Sequence, residues 1–145
     1  MFSHLFRVTH MSLKLGVVMD PIESINYKKD TTLALLWAAQ DRGWSLFYIE
    51  PDGLSLEGEV PMARSCPLRV HRDPSRWFEI GEADTAPLSD LDIVLMRKDP
   101  PFDMEYIYST YLLERAEREG TLVVNRCQSL RDCNEKLFAT EFSDC

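Results

Sequence analysis

The chain has 145 residues, of which 45% are hydrophobic and 28% are charged, the balance of an ordinary globular domain with a real core. Sixteen basic residues against twenty-four acidic ones give a net charge of −8, which disfavours nucleic acid and anionic membranes as partners and favours a small substrate. No apolar run approaches the roughly 20 residues that a membrane span requires.

Cysteine and histidine positions predict neither a metal centre nor a disulfide framework. The four cysteines show no close pairing, and the three histidines are scattered. Reduced thiols and a cytoplasmic location are therefore expected. The opening residues lack the apolar segment and cleavage site of a signal peptide, so we expect residues 1–12 to be a disordered extension or a misassigned start.

The first third of the chain predicts a βαβ unit. An apolar run at residues 15–19 indicates a buried strand that ends at the Asp20-Pro21 turn. Asp30 can cap a helix whose apolar residues recur at helical spacing up to Gly43. A second strand follows at residues 46–49, and we expect it to lie parallel to the first.

The middle third, from Pro51 to Pro87, has a looser pattern. Residues 54–60 are compatible with a small hairpin, and residues 68–70 with another short strand. Trp77 and Phe78 are expected to fold back on the core.

The last third predicts a second βαβ unit. Strands are expected at residues 93–96 and 122–125, and the helix between them should begin after Asp103 and end at Gly120. One side of this helix carries the apolar residues Met104, Ile107, Tyr108, Tyr111 and Leu112. Residues 132–135 resemble a capping box that opens a final helix. These elements predict an α/β fold, Rossmann-like, with a mainly parallel sheet and helices on both faces.

The loop that follows the third strand is the strongest chemical candidate. Arg97, Lys98, Asp99 and Asp103 lie where open α/β sheets bind ligands, past the carboxyl ends of the strands. Arg97 offers a planar fork for a carboxylate or phosphate, and the two prolines that follow fix the backbone. An alternative is a rigid turn, in which Asp103 caps the helix and Arg97 pairs with a neighbouring acid.

The other wall of the expected crevice is the Met19-Asp20-Pro21 turn. Asp20 is either a ligand-binding residue or part of a simple Asp-Pro turn. Asn26 and the lysines at 28 and 29 follow in the loop before the first helix, where they can attract an anion or simply face solvent. An aspartate at the end of a first strand also occurs in phosphorylated receiver domains, but the Met-Arg-Lys end of the third strand argues against that class.

Several common site motifs do not occur in the sequence. There is no G-x-G-x-x-G after the first strand, no G-x-x-x-x-G-K-[ST] and no G-x-S-x-G. Dinucleotide-binding, P-loop and serine-hydrolase sites of those types are therefore unsupported.

Four longer blocks carry a more specific signal: VMDPIESIN with YKKD, LDIVLMRKDPPFD, YLLERAEREGTLVVN and QSLRDCNEKLFA. In this order they resemble the N-terminal region of bacterial glutathione synthetases, which belong to the ATP-grasp ligases. The resemblance implies a pre-ATP-grasp domain at residues 13–131. It further implies that residues 132–145 are the start of an ATP-grasp region, truncated before the glycine-rich loop and the magnesium ligands.

The resemblance also implies an activity and its participants. ATP and Mg²⁺ would serve to phosphorylate γ-glutamylcysteine, glycine would then attack the acyl phosphate, and the enzyme would be a homo-oligomer. Asn26 and Arg97 match positions near the peptide substrate and, with Asp20 and Asp99, form the predicted substrate site. Lys136 matches a lysine that contacts ATP. Most catalytic groups would lie outside this chain, which we therefore expect to be inactive alone.

The sequence is also compatible with two other functions. The chain is compatible with a catalytically dead, stand-alone Rossmann-like binding module. It is also compatible with another ATP-grasp ligase, although the RKDPPFD block favours the glutathione synthetases.

Overall fold

The computed structural model describes residues 12–133 and 137–142. Within these residues the helices and strands run in the order β1 Lys14–Val18, α1 Thr31–Asp41, β2 Ser45–Glu57, β3 Val60–Val70, β4 Phe78–Ile80, β5 Asp84–Pro87, β6 Ile93–Met96, α2 Met104–Glu119, β7 Leu122–Val124 and α3 Cys127–Asp132. Short 3-10 helices lie at Ile22–Ser24, Leu88–Asp90 and Phe138–Glu141.

The strands form one seven-stranded sheet of order β4-β3-β2-β1-β6-β7, with β5 also paired to β3. Strands β2, β1, β6 and β7 pair in parallel, as the two predicted βαβ units require. The remaining strands extend this parallel core with antiparallel pairs. The predicted Rossmann-like α/β fold is confirmed.

Helices cover both faces of the parallel core, also as predicted. Because successive strand residues point to opposite faces, Val17 packs with Leu33 and Leu36 of α1, whereas its neighbour Val18 packs with Leu113 of α2. Each face thus buries its own apolar cluster, and Trp77 and Phe78 pack against the cluster beneath α1. The two clusters hold the helices against the sheet and so position the ends of its parallel strands.

Both predicted helix caps are confirmed. The Asp30 carboxylate accepts a hydrogen bond from the Leu33 amide at 2.7 Å, and the Asp103 carboxylate accepts one from the Tyr106 amide at 2.9 Å. Helix α2 ends at Gly120, whose φ of 109° lies in the left-handed region that favours glycine.

The middle third is more ordered than its sequence indicates. Strands β2 and β3 form one long antiparallel hairpin, of which the predicted turn near residue 58 is only the tip. Pro51, Asp52 and Gly53 interrupt the apolar alternation, and an irregularity between Ile49 and Leu54 absorbs them. A Cβ at Gly53 would lie 2.9 Å from the Arg64 carbonyl oxygen, so glycine allows the two strands to approach here.

The apolar side predicted for α2 is not the side that is buried against the sheet. Its buried residues are Ser109, Thr110, Leu113 and Ala116, while Tyr108 and Tyr111 face outward. The reason is steric, since small side chains let this helix lie close to the sheet. The large aromatic residues form the more hydrophobic stripe along the helix in the sequence, but in the structure they occupy its outer face.

The predicted start of a final helix at Asp132 is also wrong. Helix α3 already begins at Cys127, and Asp132 is its last residue. There the Asp132 carboxylate accepts a hydrogen bond from the side-chain Nε2 of Gln128 at 2.6 Å, within the last turn of the helix. The predicted apolar residues Leu137, Phe138 and Phe142 flank or occupy a 3-10 turn.

Some predictions fall outside the described residues. These are residues 1–11 of the extension predicted at 1–12, the predicted ATP contact Lys136, the remainder of the capping box at Asn134 and Glu135, and Cys145. Among the helices of the described ranges, none combines the length and apolar character needed to span a membrane.

Candidate functional site

The parallel core has its topological switch point between β1 and β6. The chain moves from β1 to β2 on one side and later returns to place β6 on the other side. Val18 pairs with Met96, and the Arg97 amide continues the ladder with a 2.7 Å hydrogen bond to the Val18 carbonyl. The loops after β1 and β6 therefore leave the sheet side by side, which is where open α/β sheets bind ligands.

A cleft of about 340 Å³ opens between these two loops and the start of α1. All four residues predicted to bind substrate line this switch-point cleft, namely Asp20, Asn26, Arg97 and Asp99. They come from sequence positions almost 80 residues apart, and the order of the strands brings them together. Their residue types give the cleft a polar wall with charges of both signs.

Arg97 is held by hydroxyl groups. Its Nε donates to Thr32 Oγ1 at 3.0 Å, and its Nη2 donates to Thr31 Oγ1 at 2.9 Å. Among the described residues no carboxylate forms an ion pair with Arg97, in contrast to the alternative in which a neighbouring acid neutralises it. The guanidinium charge therefore stays available to a ligand.

Asp20 supports the opposite loop. Its Oδ2 accepts a hydrogen bond from the Asp99 amide at 2.9 Å, which ties the end of β1 to the loop after β6. Asp20 is half-buried, whereas Asp99 is exposed, and both residues line the cleft. The Asp-Pro turn and the binding role are thus compatible, because one carboxylate oxygen holds the loop and the residue still lines the cleft.

The third wall is the loop from residue 24 to residue 30. Asn26 organises it, since its carbonyl oxygen accepts from the Lys29 and Asp30 amides and its Oδ1 accepts from the Lys28 amide. Lys29 lines the cleft, but Lys28 does not. Lys29 and Arg97 supply positive charge to the lining of the cleft, and Asp20 and Asp99 supply negative charge.

The loop after β6 divides its side chains between two cavities. Arg97 and Asp99 line the switch-point cleft, whereas Lys98 and Phe102 line a groove of about 1090 Å³ beside α3. Phe102 packs against Tyr106 there in a tilted arrangement, with ring centroids 5.2 Å apart. The groove is less polar than the cleft, and it contains none of the four predicted substrate residues.

Thr31 and Thr32 are the site residues that the sequence analysis missed. Both directly follow the predicted cap Asp30, where a hydroxyl residue is unremarkable. Only the placement of β6 next to β1 brings Arg97 to the start of α1, and periodicity does not reveal that placement. A hydroxyl pair at the first two positions of α1 would have been the one available signal.

Comparison with known proteins gives the family. The sequence profile described as "Prokaryotic glutathione synthetase, N-terminal domain" matches residues 13–131. This range contains every strand of the sheet and all residues that line the switch-point cleft.

Individual relatives agree with the profile. The chain is 64% identical to a glutathione synthetase of Pseudomonas putida and 62% identical to one of Pseudomonas aeruginosa, in each case over 93% of the chain and 43% of the relative. It is 59% identical to a glutathione synthetase of Shewanella oneidensis over 91% of the chain and 42% of that relative. The chain thus spans less than half the length of these relatives. It belongs to the family of prokaryotic glutathione synthetase N-terminal domains.

Proposed function

We propose that this chain is the N-terminal part of a glutathione synthetase and that its switch-point cleft contributes to binding γ-glutamylcysteine. The observation that carries the proposal is the convergence of Asp20, Asn26, Arg97 and Asp99 on one polar cleft at the switch point. Family membership supports the same substrate class, since the relatives are glutathione synthetases.

The chemistry of the cleft suits a zwitterionic peptide. γ-Glutamylcysteine carries two carboxylates and one ammonium group, so it needs partners of both signs. Arg97 and Lys29 supply positive charge, and a guanidinium binds a carboxylate through two parallel hydrogen bonds. Asp99 supplies a carboxylate for the ammonium group. A polar cleft of this size would hold one end of the dipeptide.

The proposed whole reaction is an ATP-dependent ligation. The cysteinyl carboxylate of γ-glutamylcysteine attacks the γ-phosphorus of ATP, which forms an acyl phosphate and releases ADP. The amine of glycine then attacks the acyl carbon, loses a proton and expels phosphate, which leaves the new amide of glutathione. The contribution of this chain is to orient the peptide, an effect that lowers the entropic part of the barrier.

The residues that would bind ATP and magnesium differ from those proposed to bind the peptide. Lys136 stays our proposed ATP contact, and it lies outside the described residues. Bound magnesium would neutralise charge on the transferring phosphoryl group. Within residues 12–133 and 137–142, however, no group of three His, Cys, Asp or Glu side chains fits a metal ion, so we assign no magnesium ligand to them.

The same proposal includes the domain organisation and the location of the protein. We place the domain at residues 13–131 with a following ATP-grasp region, and we place the enzyme in the cytoplasm.

We also propose that the enzyme is a homo-oligomer, which the outward face of α2 supports. Met104, Tyr108 and Tyr111 are 60%, 61% and 48% exposed there, and a cluster of exposed apolar side chains is typical of an interaction surface. Light scattering on the purified protein would give its mass in solution.

Titration of the ¹⁵N-labelled chain with γ-glutamylcysteine tests the binding proposal. We expect amide shifts at Asp20, Asn26, Arg97 and Asp99, with millimolar or tighter affinity. The matched control ligand is α-glutamylcysteine, which has the same groups in a different arrangement and should bind more weakly. Shifts confined to the groove at Phe102 and Tyr106, or no shifts at all, would contradict the proposal.

A further inference from the structure

The guanidinium of Arg97 is bound along one edge only. In a planar guanidinium Nε and one Nη share an edge, and here Nε contacts Thr32 Oγ1 while Nη2 contacts Thr31 Oγ1. On the other edge, which the two Nη groups form, the Nη1 hydrogens remain free to donate to a ligand. Across the described residues no side chain accepts a hydrogen bond from Nη1.

Thr32 and the backbone of Arg97 are both held in place. Thr32 is 4% exposed, and the Asp30 cap holds the first turn of α1. A threonine side chain in a helix is restricted to two main χ1 rotamers, so the Thr32 hydroxyl has few available positions. On the other side the backbone of Arg97 is locked into the sheet by its 2.7 Å bond to the Val18 carbonyl.

The polarity of the contact also matters. A threonine hydroxyl accepts from the guanidinium without neutralising it, whereas an aspartate at the same place would cancel its charge. The arginine is thus oriented and remains cationic. An oriented guanidinium loses less side-chain entropy when it binds a carboxylate.

We infer that Thr31 and Thr32 are positioning residues, which hold Arg97 so that its free edge binds a carboxylate of the substrate in the switch-point cleft. The identity of that substrate rests on the proposed function. The orientation of Arg97 does not rest on it. The two parts therefore can be tested separately in one set of variants.

The test compares Thr32→Val with Thr32→Ser in the full 145-residue chain. Valine has nearly the same shape but no hydroxyl, whereas serine keeps the acceptor. Side-chain ¹⁵N spectra report the exchange rate of the Arg97 Hε proton, and titration with γ-glutamylcysteine reports the dissociation constant. We expect Thr32→Val to speed Hε exchange and to weaken binding about tenfold, and Thr32→Ser to stay close to the parent.

Thr110→Val is the matched control. Thr110 is also a buried threonine that accepts a hydrogen bond from an arginine, in this case from Arg131 at 3.1 Å, but it lies outside the cleft. This variant should lose stability without any change in Arg97 exchange or in binding. If Thr32→Val fails to fold, Thr31→Val removes the other, exposed hydroxyl and is expected to give the same changes at smaller size.

The results test separately the positioning role of the two threonines and the identity of the substrate. Unchanged Hε exchange and unchanged affinity in a folded Thr32→Val or Thr31→Val variant would overturn the positioning role. Faster Hε exchange, in a protein whose parent form does not bind γ-glutamylcysteine, would support the orientation of Arg97 and overturn the substrate instead.

Discussion

Asp20 has a structural role in the fold and a proposed role in binding the ligand. Its carboxylate accepts a hydrogen bond from the Asp99 amide and thereby fixes the loop that carries Arg97. A backbone hydrogen bond to an ionised carboxylate is among the stronger ones. The loop therefore depends on a residue from another strand, although two prolines already restrict its backbone.

Asp20→Ala should therefore weaken binding of γ-glutamylcysteine by about tenfold, because the Asp99 amide loses its partner and the loop moves. Asp20→Asn keeps an oxygen acceptor and should retain most of the affinity. Calorimetric titration of both variants measures the difference. Equal losses in the two variants would mean that the charge of Asp20, and not its support of the loop, determines binding.

Cys127 shows the effect of burial on a titrating group. Burial and, next, the nearby Glu117 raise the pKa of the Cys127 thiol from 9.0 to about 12. The thiol is fully buried between α2 and the sheet and is neutral at physiological pH. We therefore regard it as a packing residue and not as a nucleophile.

Stability should fall in alkali for the same reason. The unfolded thiol ionises near pH 9, while the folded thiol stays protonated to about pH 12, so the contribution is complete below pH 9 and is lost as pH rises towards 12. The slope from this group is at most about 1.4 kcal/mol per pH unit. The pKa of buried Tyr48 is also raised, so part of the slope should persist without Cys127.

Urea unfolding on both sides of pH 9 measures this slope. Cys127→Ala should reduce the dependence of unfolding free energy on pH, whereas Cys133→Ala, which changes an exposed thiol, should not. An identical slope in Cys127→Ala and the parent chain would show that other groups cause the alkaline loss.

At the scale of elements, the ends of α2 could be predicted from the sequence, whereas its buried face could not. The ends of α2 follow from local chemistry, since Asp103 caps the first turn and Gly120 adopts a left-handed φ. Its buried face does not follow from local chemistry, because two candidate stripes exist. Packing against the sheet selects the stripe of small residues with Leu113, and the sheet is assembled from distant parts of the chain.

Two alanine variants test this orientation of α2. Leu113 is fully buried, so Leu113→Ala should lower the free energy of unfolding by about 2–5 kcal/mol. Tyr108 is 61% exposed, so in monomeric protein Tyr108→Ala should change it by less than about 0.5 kcal/mol. Chemical denaturation of both variants gives the comparison. A larger loss for Tyr108→Ala would mean that the aromatic stripe is the buried one.

The hairpin of β2 and β3 was only partly predictable for a related reason. The apolar alternation is broken at residues 51–53, and a local reading therefore ends the strand at Ile49. Pairing with β3 carries the strand past the break, and Gly53 allows the partner backbone to come close. Long-range pairing decides such elements, and one sequence does not contain that information in a local pattern.

At the scale of the whole molecule, the order of the strands creates the site. The four predicted substrate residues come from loops that are far apart in sequence, and they meet because β1 lies between β2 and β6. The sequence blocks predicted those residues through resemblance to a family. Thr31 and Thr32 lay outside that prediction, because their contact with Arg97 appears only when β6 is paired with β1.

Lys136 belongs to the same scale, since its proposed role requires the rest of a synthetase. In a chimera that joins this chain to the remaining part of the Pseudomonas putida relative, Lys136→Ala should raise the KM for ATP about tenfold. The KM for γ-glutamylcysteine should stay near that of the unsubstituted chimera. Unchanged ATP kinetics would remove Lys136 from the proposed site.

The most direct measurement of the central claim is the steady-state kinetics of Arg97→Lys in that chimera. Lysine keeps the charge but lacks the planar fork, so we predict that the KM for γ-glutamylcysteine rises about tenfold or more while the KM for ATP does not change. Arg69→Lys, at an exposed arginine that does not line the cleft, is the matched control. An active Arg97→Lys chimera with an unchanged KM for γ-glutamylcysteine would contradict the assignment of the cleft to this substrate.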